Sequence, residues 1–129
     1  MILADTSIWI DYFRGIKSRK TDLLNSLLDE ERIATGDLII AELMQGFRTK
    51  KQIYIAFNII NHLEYFDLVG KEIAIKAAIN YRELRKKGLT IRKTIDTLIG
   101  TFCIENGIML LHNDKDFDPM VEYLGLQVV

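Results

Sequence analysis

The alternation of apolar and polar positions begins with a short apolar run, Met1-Ile2-Leu3-Ala4, which ends at Asp5-Thr6-Ser7. The run suits a strand, and the polar trio can cap a helix beginning near Ile8. From Thr21 to Glu31, Leu23, Leu24, Leu27 and Leu28 recur at helical spacing, and Arg32-Ile33-Ala34-Thr35 reads as a second strand. Gly36-Asp37 opens a helix that runs through Gln45 and stops at Gly46. Ile53, Phe57 and Ile60 mark another helix between Lys50 and His62, and Tyr65-Phe66-Asp67-Leu68 a third strand. The clearest helix carries Ile73, Ala74, Ala77, Ala78, Tyr81 and Leu84 on one stripe and ends at Lys86-Lys87-Gly88, with favourable charge and a glycine stop. Thr94 is placed to cap a helix that turns Ile95, Leu98, Ile99, Phe102 and Cys103 inward and ends at Asn106-Gly107. Ile108 to Leu111 follows as the most evident strand, then a short helix around Pro119 to Tyr123, and Leu126 to Val129 as a closing strand. Strands alternating with helices predict an α/β fold, an open and mostly parallel sheet covered on both faces.

Composition narrows this to one domain spanning residues 1–129: the chain is 49% apolar with a single proline, close to the commonest domain size of roughly 100 to 150 residues. Apolar runs such as Ile108 to Leu111 fall far short of the ~18 residues a membrane span needs. The start lacks the basic, apolar, small-residue order of a secretion signal, so a soluble cytoplasmic protein with no membrane partner is expected. The lone Cys103 agrees with a reducing compartment. A net charge of −1 says little about a polyanionic partner until its distribution is considered. Setting aside Asp5, Glu42, Asp96 and Asp114 as bound to a cation turns −1 into +3, with basic residues grouped at 14–20, 48–51 and 82–93.

Those four acids are the candidate chemistry. Asp5 follows the first strand and Asp114 the fourth, which puts both carboxylates at the edge of a parallel sheet where ligands collect. Glu42 lies beside Leu43, and Asp96 between Ile95 and Ile99, so both border buried stripes. An isolated charge there is costly and must be paired, hydrogen-bonded or bound to a cation. Oxygen-only ligands favour a hard cation, and Mg²⁺ combines a few carboxylates with water and phosphate oxygens, which points to phosphodiester chemistry. Asp116 is placed to assist. Each acid taken singly has an ordinary explanation, a helix cap for an aspartate after a strand or a solvated face for a helical glutamate. Their joint arrangement does not.

Four segments carry a resemblance: Ile2-Leu3-Ala4-Asp5-Thr6-Ser7-Ile8-Trp9, Ala41-Glu42-Leu43 with Gly46, Ile95-Asp96-Thr97-Leu98-Ile99, and Leu110-Leu111-His112-Asn113-Asp114-Lys115-Asp116-Phe117. In this order, over nearly the whole chain, they resemble the PIN-domain family, and within it the VapC-type toxins of bacterial and archaeal toxin-antitoxin pairs. The resemblance implies a three-layer α/β/α fold with a central parallel sheet, dependence on Mg²⁺ or Mn²⁺, and endonucleolytic cleavage of RNA. By motif position it implies an acidic site of Asp5, Glu42, Asp96 and Asp114, with Asp5, Asp96 and Asp114 holding the metal and Asp116 accessory. Thr6 or Ser7 would orient Asp5 or a metal-bound water. It further implies a homodimer held inactive by a cognate antitoxin. Two positions depart from the pattern: His112 stands where threonine is common, which removes a hydroxyl, and Gly100-Thr101 where small alanines are common.

Other residues carry weaker expectations. Arg82, Arg85, Lys86, Lys87, Arg92 and Lys93 approach Asp96 in sequence and are candidates to follow an RNA backbone. His112 reads as structural, Cys103 as core, and Trp9, Tyr12 and Phe13 as packing rather than base stacking. Two other functions compete. A doubly wound phosphatase or phosphotransferase using Asp5 as nucleophile usually carries a second aspartate two residues on, where this chain has Ser7. A catalytically silent PIN-like binding module would have no need to keep all four acids.

Overall fold

The computed structural model describes residues 1–129, and its elements follow the expected alternation. They are β1 (Ile2–Ala4), α1 (Thr6–Phe13), α2 (Arg19–Asp29), β2 (Ile33–Gly36), α3 (Asp37–Gly46), α4 (Lys50–Ile60), β3 (Glu64–Phe66), α5 (Lys71–Lys86), α6 (Thr94–Asn106), β4 (Met109–Leu111) and α7 (Asp118–Leu124), with a 3₁₀ turn over Lys115–Phe117. The four strands form one parallel sheet in the order β3-β2-β1-β4, flanked by helices as the α/β/α architecture requires.

The order of the strands positions the site. From β1 the chain steps outward to β2 and β3, then returns to place β4 on the other side of β1, so strand order reverses between β1 and β4. Leu3 is in register with Leu110 and Ala4 with Leu111, and the Asp5 amide extends this edge by donating to the Leu111 carbonyl at 2.9 Å. The carboxyl ends of β1 and β4 thus flank the crevice where ligands bind in open α/β sheets. β1 is buried at every position, and it anchors a core cluster that includes Leu3, Ile8, Trp9, Ile39, Leu43, Ile99, Leu110 and Phe117. Trp9 lies within that core against Phe13 and Tyr12, and Cys103 is buried too, in line with the packing roles expected of them.

Several expectations need correction. Leu126 to Val129 does not form a fifth strand: Val128 makes a single parallel bridge to Leu110, and the segment only edges β4. Thr94 does not cap α6; Lys93 holds the cap position without a side-chain bond, and Thr94 is already helical. The α5 stripe is thinner than its spacing suggests. Ala77 and Leu84 are buried while Ala74 and Ala78 are exposed, as are Ile75 and Ile79 on a neighbouring face. On α4 only Ala56 and Ile60 are buried; Ile53 and Phe57 face outward. Conversely, α6 is buried almost all round, with Asp96, Thr97, Gly100 and Thr101 enclosed alongside Ile99, Phe102 and Cys103. No helix is long and apolar enough to cross a membrane.

Candidate functional site

Asp5 and Asp96 reach the crevice already buried, at 3% and 2% exposure, whereas Asp114 and Asp116 stand at its rim and Glu42 is half-buried. Each acid is delivered by a different device. Asp5 is the N-cap of α1: its Oδ2 accepts the Ser7 amide at 3.1 Å and the Ser7 hydroxyl at 2.7 Å. Glu42 projects from α3, and its Oε1 accepts the Thr6 hydroxyl at 2.9 Å. Asp96 lies in the first turn of α6. Asp114 caps the 3₁₀ turn, its Oδ1 accepting the Asp116 amide at 2.9 Å.

The two hydroxyls therefore divide the work. Ser7 orients Asp5, as the sequence suggested for Thr6 or Ser7, while Thr6 turns to Glu42. Ser7 also joins the two strand ends, because its Oγ accepts the Asn113 amide at 2.9 Å.

Asp96, Asp114 and Asp116 can bring one carboxylate oxygen each to within 4.8 Å of one another, a spacing that suits a shared cation. Asp116 joins this triad although the sequence placed it as accessory. Asp5 and Glu42 are not in the triad, yet both bear on Asp96 electrostatically. Burial, reinforced by the charges of Asp5, Asp114 and Glu42 against the opposing Lys93, pushes the Asp96 carboxyl up to about 7. Lys93 shows the same convergence from the other side. Burial lowers its ammonium, but Asp96, Asp114, Glu42 and Asp5 together hold it above the usual lysine value. Its Nζ lies 3.6 Å from Asp114 and 3.8 Å from Asp96, and Arg92 Nε donates to Asp116 at 3.3 Å.

Two buried carboxylate oxygens have no hydrogen-bond partner, Asp5 Oδ1 and Asp96 Oδ2. Buried polar atoms are nearly always satisfied, and an orphan oxygen on each of two neighbouring acids, one of them 3.8 Å from the Lys93 ammonium, is a pattern that a bound cation would satisfy. The residues present therefore fit a hard divalent ion held by oxygen atoms.

Of the other basic candidates, only Arg92 and Lys93 touch the acids. Arg85 leans on Tyr81 and Lys86 on Glu83 within α5, and Lys87 lies over the Tyr123 ring. Arg82 borders a groove of about 560 Å³ between α5 and α6, alongside Thr94, Thr97 and Leu98. Sequence reasoning missed Lys20, whose Nζ donates to the His112 carbonyl at 2.6 Å, and no local pattern signals a contact spanning 92 positions. It also missed the bond from the Asp114 amide to His112 Nδ1, at 3.0 Å. Burial, with Lys20 adding to it, lowers the His112 imidazole below its usual value, in line with an Nδ1 that accepts the Asp114 amide.

Fold and site together define a class: a parallel α/β domain with a crevice of clustered carboxylates at the switch point between β1 and β4. The family model described as PIN domain matches residues 2–122, and the chain belongs to that family. Over 130 residues it is 35% identical to ribonuclease VapC11 of Mycobacterium tuberculosis (strain ATCC 25618 / H37Rv), covering 98% of this chain and 96% of that one. Over 127 residues it is 31% identical to ribonuclease VapC1 of Methanocaldococcus jannaschii, covering 98% and 85%. Among solved structures, VapBC2 of Rickettsia felis bound to a DNA fragment from its promoter superposes with a TM-score of 0.76 at 24% identity, covering 100% of this chain and 98% of that one. FitAcB of Neisseria gonorrhoeae gives 0.72 at 18% identity, covering 99% and 96%.

Proposed function

We propose that this protein is a divalent-cation-dependent endoribonuclease, the toxin of a toxin-antitoxin pair, with Mg²⁺ or Mn²⁺ as its cofactor. The observation that carries the reading is the pair of unpartnered buried oxygens, Asp5 Oδ1 and Asp96 Oδ2, beside the Asp96-Asp114-Asp116 triad. Ribonuclease relatives at 35% and 31% identity over nearly the whole chain support the choice of substrate.

Asp5, Asp96 and Asp114 would hold the ion, with Asp116 at the rim. The bound ion supplies an activated water and offsets charge that builds on the phosphate. Ser7 fixes Asp5 by taking up its Oδ2, which leaves Oδ1 for the ion. Glu42, held through Oε1 by Thr6, keeps Oε2 to accept a proton from the attacking water. Lys93 and Arg92, already at the acids, meet the phosphate that enters, and Arg82, Arg85 and Lys86 extend the basic track along α5. Phosphotransfer through Asp5 as a nucleophile is not favoured, because the relatives matched over nearly the whole chain are ribonucleases.

The partner reading rests on surfaces. A groove of about 250 Å³ lined by Ile10, Phe13, Leu43 and Phe47, with Arg14 and Arg48 among its lining, suits an apolar side chain on an acidic antitoxin segment. Exposed Tyr54 and Phe57 on α4, with Ile75 and Ile79 on α5, offer apolar area to a second copy, which fits a homodimer. This activity belongs in the cytoplasm, where RNA and antitoxin would both be met.

The test is cleavage of structured and unstructured RNA by purified, partner-free protein with Mg²⁺ or Mn²⁺, comparing wild type, Asp5→Asn and Asp96→Asn, with EDTA as control. Metal-dependent cutting lost in both variants is expected. Cutting that survives both substitutions would place the chemistry elsewhere, and a folded, metal-loaded protein that cuts no RNA would remove the nuclease reading.

A further inference from the structure

The segment that brings Asp114 out of β4 is gripped at three successive groups. Lys20 Nζ on α2 donates to the His112 carbonyl at 2.6 Å, the Asn113 amide donates to Ser7 Oγ on α1 at 2.9 Å, and the Asp114 amide donates to His112 Nδ1 at 3.0 Å. The first two grips come from elsewhere in the fold; the third is made by the segment's own imidazole. That ring is a fixed point, 7% exposed and packed on Phe117 with ring centroids 4.9 Å apart. An amide donating to Nδ1 places the ring proton on Nε2.

Asp114 shows what the third grip achieves. Its backbone is extended, at φ −137° and ψ 120°, and its Oδ1 is taken by the Asp116 amide. Oδ2 is the oxygen left, 3.6 Å from Lys93 Nζ within the acidic cluster. Where Oδ2 points depends on the peptide plane between Asn113 and Asp114 together with the torsions that the Asp116 amide restrains through Oδ1, and His112 is the side chain that holds the N–H of that plane.

We propose that His112 is a positioning residue of the acidic site, using Nδ1 to hold the Asp114 amide so that the free carboxylate oxygen faces the cation. This inference rests on reading the site as a divalent-cation centre. A side-chain acceptor that takes the N–H two residues on is what asparagine supplies in an Asx-turn and serine or threonine in the equivalent hydroxyl turn. Asparagine at this position therefore keeps the acceptor while giving up ring contact with Phe117. Leucine does the reverse, filling much of the ring's space with no acceptor.

The experiment measures three quantities on the full chain for wild type, His112→Asn and His112→Leu: Mn²⁺ affinity by calorimetry, kcat and KM on one cleavable RNA, and the melting temperature. His112→Leu is expected to lose about tenfold or more in Mn²⁺ affinity, the usual cost of removing a group that orients a ligand. Its kcat should fall with KM for RNA unchanged. His112→Asn should bind Mn²⁺ within about threefold of wild type, even though it melts lower. A residue that only packs would give the opposite order, with asparagine the more damaged. The inference is overturned if His112→Leu binds Mn²⁺ like wild type, or if both variants lose affinity in step with their melting temperatures. Wild-type protein that takes up no Mn²⁺ would overturn the metal reading of the site and this inference with it, whereas failure confined to the variants leaves the metal reading standing.

Discussion

Replacing Asp96 by asparagine should raise the stability of the metal-free protein while removing its metal-dependent activity. Asp96 is 2% exposed, its Oδ2 has no hydrogen-bond partner, and burial together with Asp5, Asp114 and Glu42 raises its carboxyl from 3.8 to about 7. At about 1.36 kcal/mol per pH step, holding that group ionised at pH 8 costs on the order of 4 kcal/mol. One effect reduces the gain from removing it, since the pull of Lys93 at 3.8 Å is already part of the net shift. The amide remains a buried polar group with incomplete bonding, at about 1 to 2 kcal/mol. The remainder is about 2 to 3 kcal/mol, which for a chain of this size is a rise of roughly 6 to 15 °C in melting temperature. Calorimetric melting of wild type and Asp96→Asn in EDTA at pH 8 measures it, and repeating the comparison at pH 5.5, where the folded carboxyl is protonated but the unfolded one is not, should narrow the gap by about 2 kcal/mol. A variant that melts below wild type at pH 8 would refute the reasoning, since it would show that the carboxylate is satisfied by the fold and needs no cation.

Other expectations follow from the same geometry. For the metal-free protein, a carboxyl raised in the folded state makes stability fall as pH climbs from its unfolded value toward about 7, and level off above that. His112, lowered in the folded state, contributes in the other direction, but its contribution is complete above 6.5. The melting temperature in EDTA should therefore still decline from pH 6.5 to about 7 and level off toward pH 8, and saturating Mn²⁺ should reverse the slope because the ion binds the deprotonated acids; a profile already flat between pH 6.5 and 7 in EDTA would contradict the placement of Asp96. Lys93→Met removes a cation lying 3.6 and 3.8 Å from two of the acids, so Mn²⁺ should bind about fivefold more tightly by calorimetry while affinity for RNA falls; unchanged Mn²⁺ affinity would mean that Lys93 does not oppose the ion. Gly36→Ala would drive its new methyl into the fully buried Leu68 side chain, at a cost of about 1 to 3 kcal/mol in urea denaturation, and a neutral result would show that Leu68 can retreat.

The parts of this protein legible in its sequence are those governed by local period. The strands β1, β2 and β4 and the starts of α1 and α3 fall where apolar runs meet a polar cap or glycine, because each of those decisions is made within a few residues. Pairing and burial are decided elsewhere. Leu126 to Val129 has the composition of a strand, but it meets β4 only through Val128, so it contributes a bridge and not a ladder. α6 has apolar residues at helical spacing, yet α5, the 3₁₀ turn and β4 enclose so much of it that Asp96, Thr97 and Thr101 are buried as well, and period alone cannot report a polar residue with no outward face. Asp116 was legible as an acid near the site but not as a member of the triad, since that depends on the 3₁₀ turn that folds it back over Asp114. His112 was visible as a departure from the motif's threonine; that its Nδ1 accepts the Asp114 amide, two residues on, is visible only in the structure. Asp5 and Asp96 are buried with one carboxylate oxygen unpartnered on each, and burying charge without partners weakens a fold. A sequence that keeps them there records a requirement outside the fold, and the orphan oxygens of Asp5 and Asp96 are where the structure leaves that requirement unmet.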